Sequence, residues 1–86
     1  MNKETEAIDR MKYVQIMRSL REDTDMTQQQ IADYLGTSQT MYARYERGAN
    51  EIPVHHLIRL CALFNVTAGQ LLGMESLQRQ EETKTS

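Results

Sequence analysis

The order of four residues, Thr27, Gln30, Gly36 and Ser38, within "TQQQIADYLGTSQT" constrains the fold of this chain more than any other feature. A Thr followed three residues later by Gln has the form of a capping box. The hydroxyl takes one orphan N–H of the first turn, and the Gln side chain returns to the cap. Ile31, Ala32 and Leu35 then supply the inward side of a short helix over 27–35. Gly36 follows the last apolar residue, where a left-handed backbone closes a helix at least cost. Ser38 offers a second N-cap only two residues later. Two helices must therefore be joined by a turn of about three residues containing Gly, which is the helix-turn-helix arrangement.

The flanking segments extend this unit. Met11, Val14, Met17 and Leu20 recur in steps of three, with Tyr13 and Ile16 widening the stripe, and predict a helix over about 7–22. Arg18 and Arg21 lie on its flank, and "DTDM" breaks the pattern with turn-forming residues. The helix opened by Ser38, over 38–47, carries Tyr42 and Tyr45 on one face. Gln39, Thr40, Arg44 and Arg47 lie on the other, the last three at i, i+4, i+7. Gly48 ends it. Pro53, at the first helical position, opens a fourth helix over 53–64. Leu57, Ile58, Leu60, Cys61 and Phe64 give that helix a broad apolar face, which predicts that it is largely buried. Asn65 can close it in the left-handed region, and Thr67 caps a last short helix ending "QLLG". The expected fold is all-α, with five helices. Residues 1–9 read as a flexible N-terminus or the start of helix one, 10–73 as the folded domain, and 74–86 as a polar, disordered tail.

Charge neither demands nor excludes a nucleic-acid partner. The formal net charge is -2, yet residues 1–21 hold five basic residues against three acidic ones. The segment 27–48 is balanced, with Arg44 and Arg47 against Asp33 and Glu46, so local placement decides. One cysteine, Cys61, forbids an internal disulfide and fits a reducing compartment and a place in the core. No apolar run reaches the ~18 residues of a membrane span, and the polar start is unlike a secretory signal. The expectation is a cytoplasmic protein with no membrane association.

The run "LRED…MTQQQIADYLGTSQTMYARYERG", followed by "EIPVHHLIRLCALFNVTAGQLLG", resembles the XRE/Cro–repressor type of helix-turn-helix DNA-binding domain over about residues 10–73. The resemblance implies a compact five-helix, lambda-repressor-like domain whose second and third helices form the DNA-binding unit. It implies phosphate contact at Gln28, directly after the cap of helix two. Base edges would face Ser38, Gln39, Thr40 and, one turn on, Arg44; Met41 is a further candidate. It also implies a structural ion pair between Arg21 of "LR" and Glu46 of "ERG". Side-chain chemistry agrees: Gln pairs bidentately with adenine, Arg with guanine, and Thr offers a hydroxyl and a methyl. Arg47 and Asn50 are expected to contact phosphate. The loop after helix three, Ala49, Asn50 and Glu51, departs from the family in lacking basic residues, which predicts fewer phosphate contacts and a shallower salt dependence.

Other chemistries find little support. His55 and His56 are neighbours on a helix, about 100° apart, and no other His exists, so no metal site is expected. No nucleophile triad or carboxylate pair stands out, which argues against an enzyme; no cofactor or small-molecule ligand is evident. The reading is a transcriptional regulator, a repressor, acting on a pseudo-palindromic double-stranded DNA operator as a homodimer, at least on DNA. Leu71, Leu72, Met74 and Leu77 are the dimer candidates, since they carry apolar character past Gly73. The alternative is a protein-interaction module of the same fold, antitoxin-like or anti-repressor-like, with reduced DNA binding.

Overall fold

The computed structural model describes residues 10–76. Five helices follow one another: α1 (Arg10–Asp23), α2 (Gln28–Leu35), α3 (Gln39–Arg47), α4 (Val54–Phe64) and α5 (Ala68–Leu71). The fold is all-α and lambda-repressor-like, with no strand among the described residues.

The local signals act where the side chains place them. Thr27 and Gln30 form the full capping box at α2, the Thr27 hydroxyl accepting from Gln30 N at 3.1 Å and Gln30 Oε1 accepting from Thr27 N at 2.8 Å. Thr67 and Gln70 repeat that box at α5. Gly36 adopts φ 79°, and Thr37 N reaches back to Ala32 O at 2.9 Å, a Schellman closure. Nothing lies within 4 Å of where a Cβ would sit, so the backbone angle alone calls for glycine there. Ser38 Oγ accepts from Met41 N at 3.0 Å and starts α3 after a two-residue turn.

Pro53 stands one residue outside α4 rather than inside it. Its ψ of 153° is extended, while its carbonyl already accepts from His56 N and Leu57 N. The expectation of a largely buried α4 is also corrected. His56, Leu60 and Phe64, at i, i+4, i+8, form the narrow buried stripe, and Leu57 and Cys61 are half-buried. Ile58 sits across the helix from Leu60 and is 63% exposed, and Val54 on the same side is 68% exposed.

The core joins Tyr13, Val14, Met17 and Leu20 of α1 to Ile31, Ala32 and Leu35 of α2, with Tyr42 and Tyr45 of α3, Leu60 and Phe64 of α4, and Leu71 of α5. Tyr42 meets Tyr45 edge to face at 6.2 Å, and Tyr45 meets the His56 ring at 5.8 Å. Through Tyr45 and His56 the inner face of α3 meets α4, and Thr40, Arg44 and Arg47 on its outer face stay exposed. Leu71 is fully buried in this core, which corrects its assignment to a dimer surface. Leu72 is half-buried against the same core, Met74 is 66% exposed, and Leu77 lies outside the described residues.

Candidate nucleic-acid interface

Glu46 is the buried charge about which the interface is organised. Its side chain is 1% exposed and lies in the last turn of α3. Arg21 of α1 grips it bidentately, Nε donating to Oε2 at 2.7 Å and Nη2 to Oε1 at 3.2 Å. Arg21 Nη1 also donates to Met26 O at 3.1 Å, which ties the turn before α2 to the same group. Gln28 Nε2 donates to Glu46 Oε1 at 3.0 Å, and Arg18 approaches at 3.9 Å while donating to the Glu46 backbone carbonyl. Burial alone would raise the Glu46 carboxyl, but the hydrogen bonds from Arg21 and Gln28 outweigh it and hold the group below the ordinary carboxylate range. The same bond holds Arg21 above its usual value against its own desolvation.

This hub fixes the polarity of the side chains that reach the surface. A carboxylate accepts only, so Gln28 must present Nε2 to Glu46 and Oε1 outward. Gln28 Oε1 then accepts from Gln39 Nε2 at 2.8 Å. Gln39, the first residue of α3, is therefore held with one N–H spent, while its second N–H and its Oε1 remain for another partner. Adenine offers N7 as acceptor beside the N6 amine as donor, the pattern that such a Gln matches. Half-buried Gln28 and Gln39 sit at the foot of the helix, and Thr40, Arg44 and Arg47 are exposed along its outer side. The Ser38 hydroxyl is committed to the α3 cap.

Two features of the loop after α3 were not legible in sequence. Arg44 Nε donates to Asn50 Oδ1 at 2.7 Å. Glu51, the acidic residue of this loop, lies 4.0 Å from the Arg10 guanidinium, which also donates to Gly48 O at 3.0 Å. Both groups are solvated, so the pair contributes little to stability. It nevertheless places a positive charge next to the one acidic residue of the loop. Met41 is half-buried against the core and Tyr42 is fully buried. Burial, together with the nearby Glu46 carboxylate, raises the Tyr42 hydroxyl far above the tyrosine range. His56 was missed as a core residue. It is buried and shares a 3.1 Å hydrogen bond between Nδ1 and Tyr45 Oη, which no apolar periodicity signals.

The helix-turn-helix family model matches residues 17–71, a stretch that takes in α2, the Gly36 turn, α3 and the Glu46 hub. The chain belongs to the XRE-type helix-turn-helix family. It is similar to an uncharacterized HTH-type transcriptional regulator, YobD, of Bacillus subtilis (strain 168), at 31% identity over 62 residues. That stretch covers 72% of this chain and 55% of the relative, so the chain spans about half the length of that protein. No solved structure matches. No described helix is long and apolar enough to cross a membrane, and no group of metal-ligating side chains is found among the described residues.

Proposed function

We propose that this helix-turn-helix protein is a sequence-specific DNA-binding transcriptional regulator, a repressor, that inserts α3 into the major groove of a pseudo-palindromic operator. The observation that carries the reading is the side-chain relay from buried Glu46 through Gln28 to Gln39. It holds a base-reading side chain in one orientation at the helix start and leaves its adenine-matching groups unspent. A helix face that merely met solvent would have no need of an anchored amide. Thr40 and Arg44 share that face, Thr for the thymine methyl and Arg for guanine. Ser38 stands beside Gln39 at the start of that helix, where its capping hydroxyl still has an O–H to donate.

Phosphate contact falls to Arg47, to the Asn50 amide Nδ2 and, at Gln28, to the backbone N–H of the first turn of α2, because the Gln28 side chain is spent on Glu46 and Gln39. Neither α2 nor α3 carries an acidic residue in its first turn, so the positive helix ends stay unneutralised where phosphate would approach. This offsets the acidity of the chain as a whole. Two copies binding adjacent half-sites would place their recognition helices about 34 Å, or roughly 10 base pairs, apart. Leu72 and Met74 are the described residues left for the contact between copies, and such a protein would work inside the cell.

The test is selection of bound duplexes from a random pool by the full chain, followed by footprinting. The expected result is an enriched palindromic sequence with two protected major-groove patches one turn apart, lost in Gln39→Ala and Arg44→Ala. Absence of any sequence preference at low salt would refute the proposal.

A further inference from the structure

We infer that Asn50 is a specificity-determining residue: it positions Arg44 for guanine by occupying Nε and leaving the two terminal nitrogens as the reading fork. The inference rests on the DNA-binding reading above and assigns one base within it.

Arg44 leaves the last turn of α3 on an exposed, flexible stem, and a side chain of that kind loses much rotamer freedom when it must hold one geometry. The chain supplies the restraint itself. Gly48, at φ 78°, closes α3 so that Ala49 N and Asn50 N both donate to the Arg44 carbonyl, at 2.9 and 3.3 Å. That closure folds the loop back along α3 and brings the Asn50 side chain beside the guanidinium six residues earlier. Asn50 Oδ1 accepts from Arg44 Nε at 2.7 Å, as short as the Arg21 Nε–Glu46 Oε2 bond of the buried hub. The orientation of the Asn50 amide follows from chemistry, because Arg Nε can only donate.

The consequence is selective. An arginine can present two parallel N–H groups either from Nε with one terminal nitrogen or from the two terminal nitrogens together. Asn50 takes the first option away. No described residue takes the terminal nitrogens of Arg44, and that pair fits the adjacent O6 and N7 acceptors of guanine. Adenine sets a donor beside N7 and rejects the fork. Asn50 thus contributes through its carbonyl oxygen to base choice, separately from any phosphate contact through Nδ2.

The two contributions separate in one experiment. Equilibrium binding of the full chain is measured to the selected duplex and to duplexes changed at each guanine, for wild type, Arg44→Ala, Asn50→Ala and Asn50→Asp. Wild type should prefer guanine at one position per half-site by about 5- to 150-fold, the usual worth of a bidentate contact, and Arg44→Ala should abolish that preference. Asn50→Ala should reduce it to below about 3-fold and leave the other positions unchanged. Asn50→Asp keeps an acceptor for Nε but cannot donate to phosphate. It should weaken binding to every duplex alike and still retain most of the guanine preference. Full guanine preference in Asn50→Ala would overturn the inference, as would loss in Asn50→Asp equal to that in Asn50→Ala. A wild-type preference that Arg44→Ala leaves intact would overturn it as well, with the DNA-binding reading standing. A wild type with no preference for any sequence would remove that reading and the inference together.

Discussion

Replacing Arg21 with Met should cost more stability than any single change on the outer face of α3, and the cost should shrink in acid. Arg21→Met leaves the Glu46 carboxylate, 1% exposed, with Gln28 Nε2 at 3.0 Å and the outlying Arg18 at 3.9 Å. Breaking a buried pair by removing one partner costs about 3–5 kcal/mol. The lower end applies, because Gln28 still donates and Arg18, half exposed, can close in on the carboxylate. Glu46→Gln strands less charge. Arg21 is 16% exposed on its side chain and keeps its bond to Met26 O, so about 2 kcal/mol is expected. A domain of this size has about 5–10 kcal/mol in all. Arg21→Met should therefore lower the midpoint of thermal unfolding by roughly 12–24 °C.

The pH dependence identifies the cause. In the wild type the Glu46 carboxyl is depressed, so its contribution is complete above the unfolded value of about 4.3 and is lost as pH falls below it. Without Arg21 the dominant effect is burial, which raises the carboxyl; the variant is then penalised at neutral pH and relieved as Glu46 protonates. Urea denaturation followed by circular dichroism at pH 7 and pH 4.5 should show the gap between wild type and Arg21→Met narrowing in acid. A cost under about 1 kcal/mol at pH 7, or an equal cost at both pH values, would refute the view that a buried charge pair ties α1 to α3.

Four other outcomes are expected. Gly36→Ala forces a Cβ into the left-handed region and should destabilise by about 1–2 kcal/mol in denaturant melts, although no neighbour obstructs it. Ser38→Ala removes the α3 cap bond and should cost about 1 kcal/mol by the same measurement. Burial, with His55 and Arg59 nearby, depresses the His56 imidazole, so the unfolded chain binds the proton more readily; stability should be complete above about pH 6.5 and fall as pH drops below it, a slope that His56→Gln should flatten. Arg47→Ala should lower affinity for all duplexes alike and reduce the slope of log K against log salt by about 1 per bound protomer in a titration.

What could be read from the sequence was local. Thr27 with Gln30, Gly36, and Ser38 act within three to five residues of themselves, so their pattern determines the helix ends before any tertiary contact forms. The inner and outer faces of α3 followed from its period, and the Arg21–Glu46 pair from the family resemblance. What escaped depended on partners distant in the chain. An apolar count placed Ile58 inside and passed over His56, because the group that makes His56 acceptable in the core is Tyr45 Oη, eleven residues away. Leu71 and Leu72 look alike in sequence, yet the register of a four-residue helix turns Leu71 wholly inward. The Gln28–Gln39 bond and the Arg44–Asn50 bond follow from how the two turns close, which residue types alone do not specify.

Base reading by α3, oriented from the Glu46 hub, is the proposed basis of function. The most direct measurement is competition between the selected duplex and a scrambled duplex of equal length for the full chain at one fixed salt concentration. A regulator of this kind should favour the selected duplex by about 10³-fold or more, and Gln39→Ala should reduce that ratio while retaining the wild-type fold. Equal affinity for the two duplexes would show that α3 does not read base sequence.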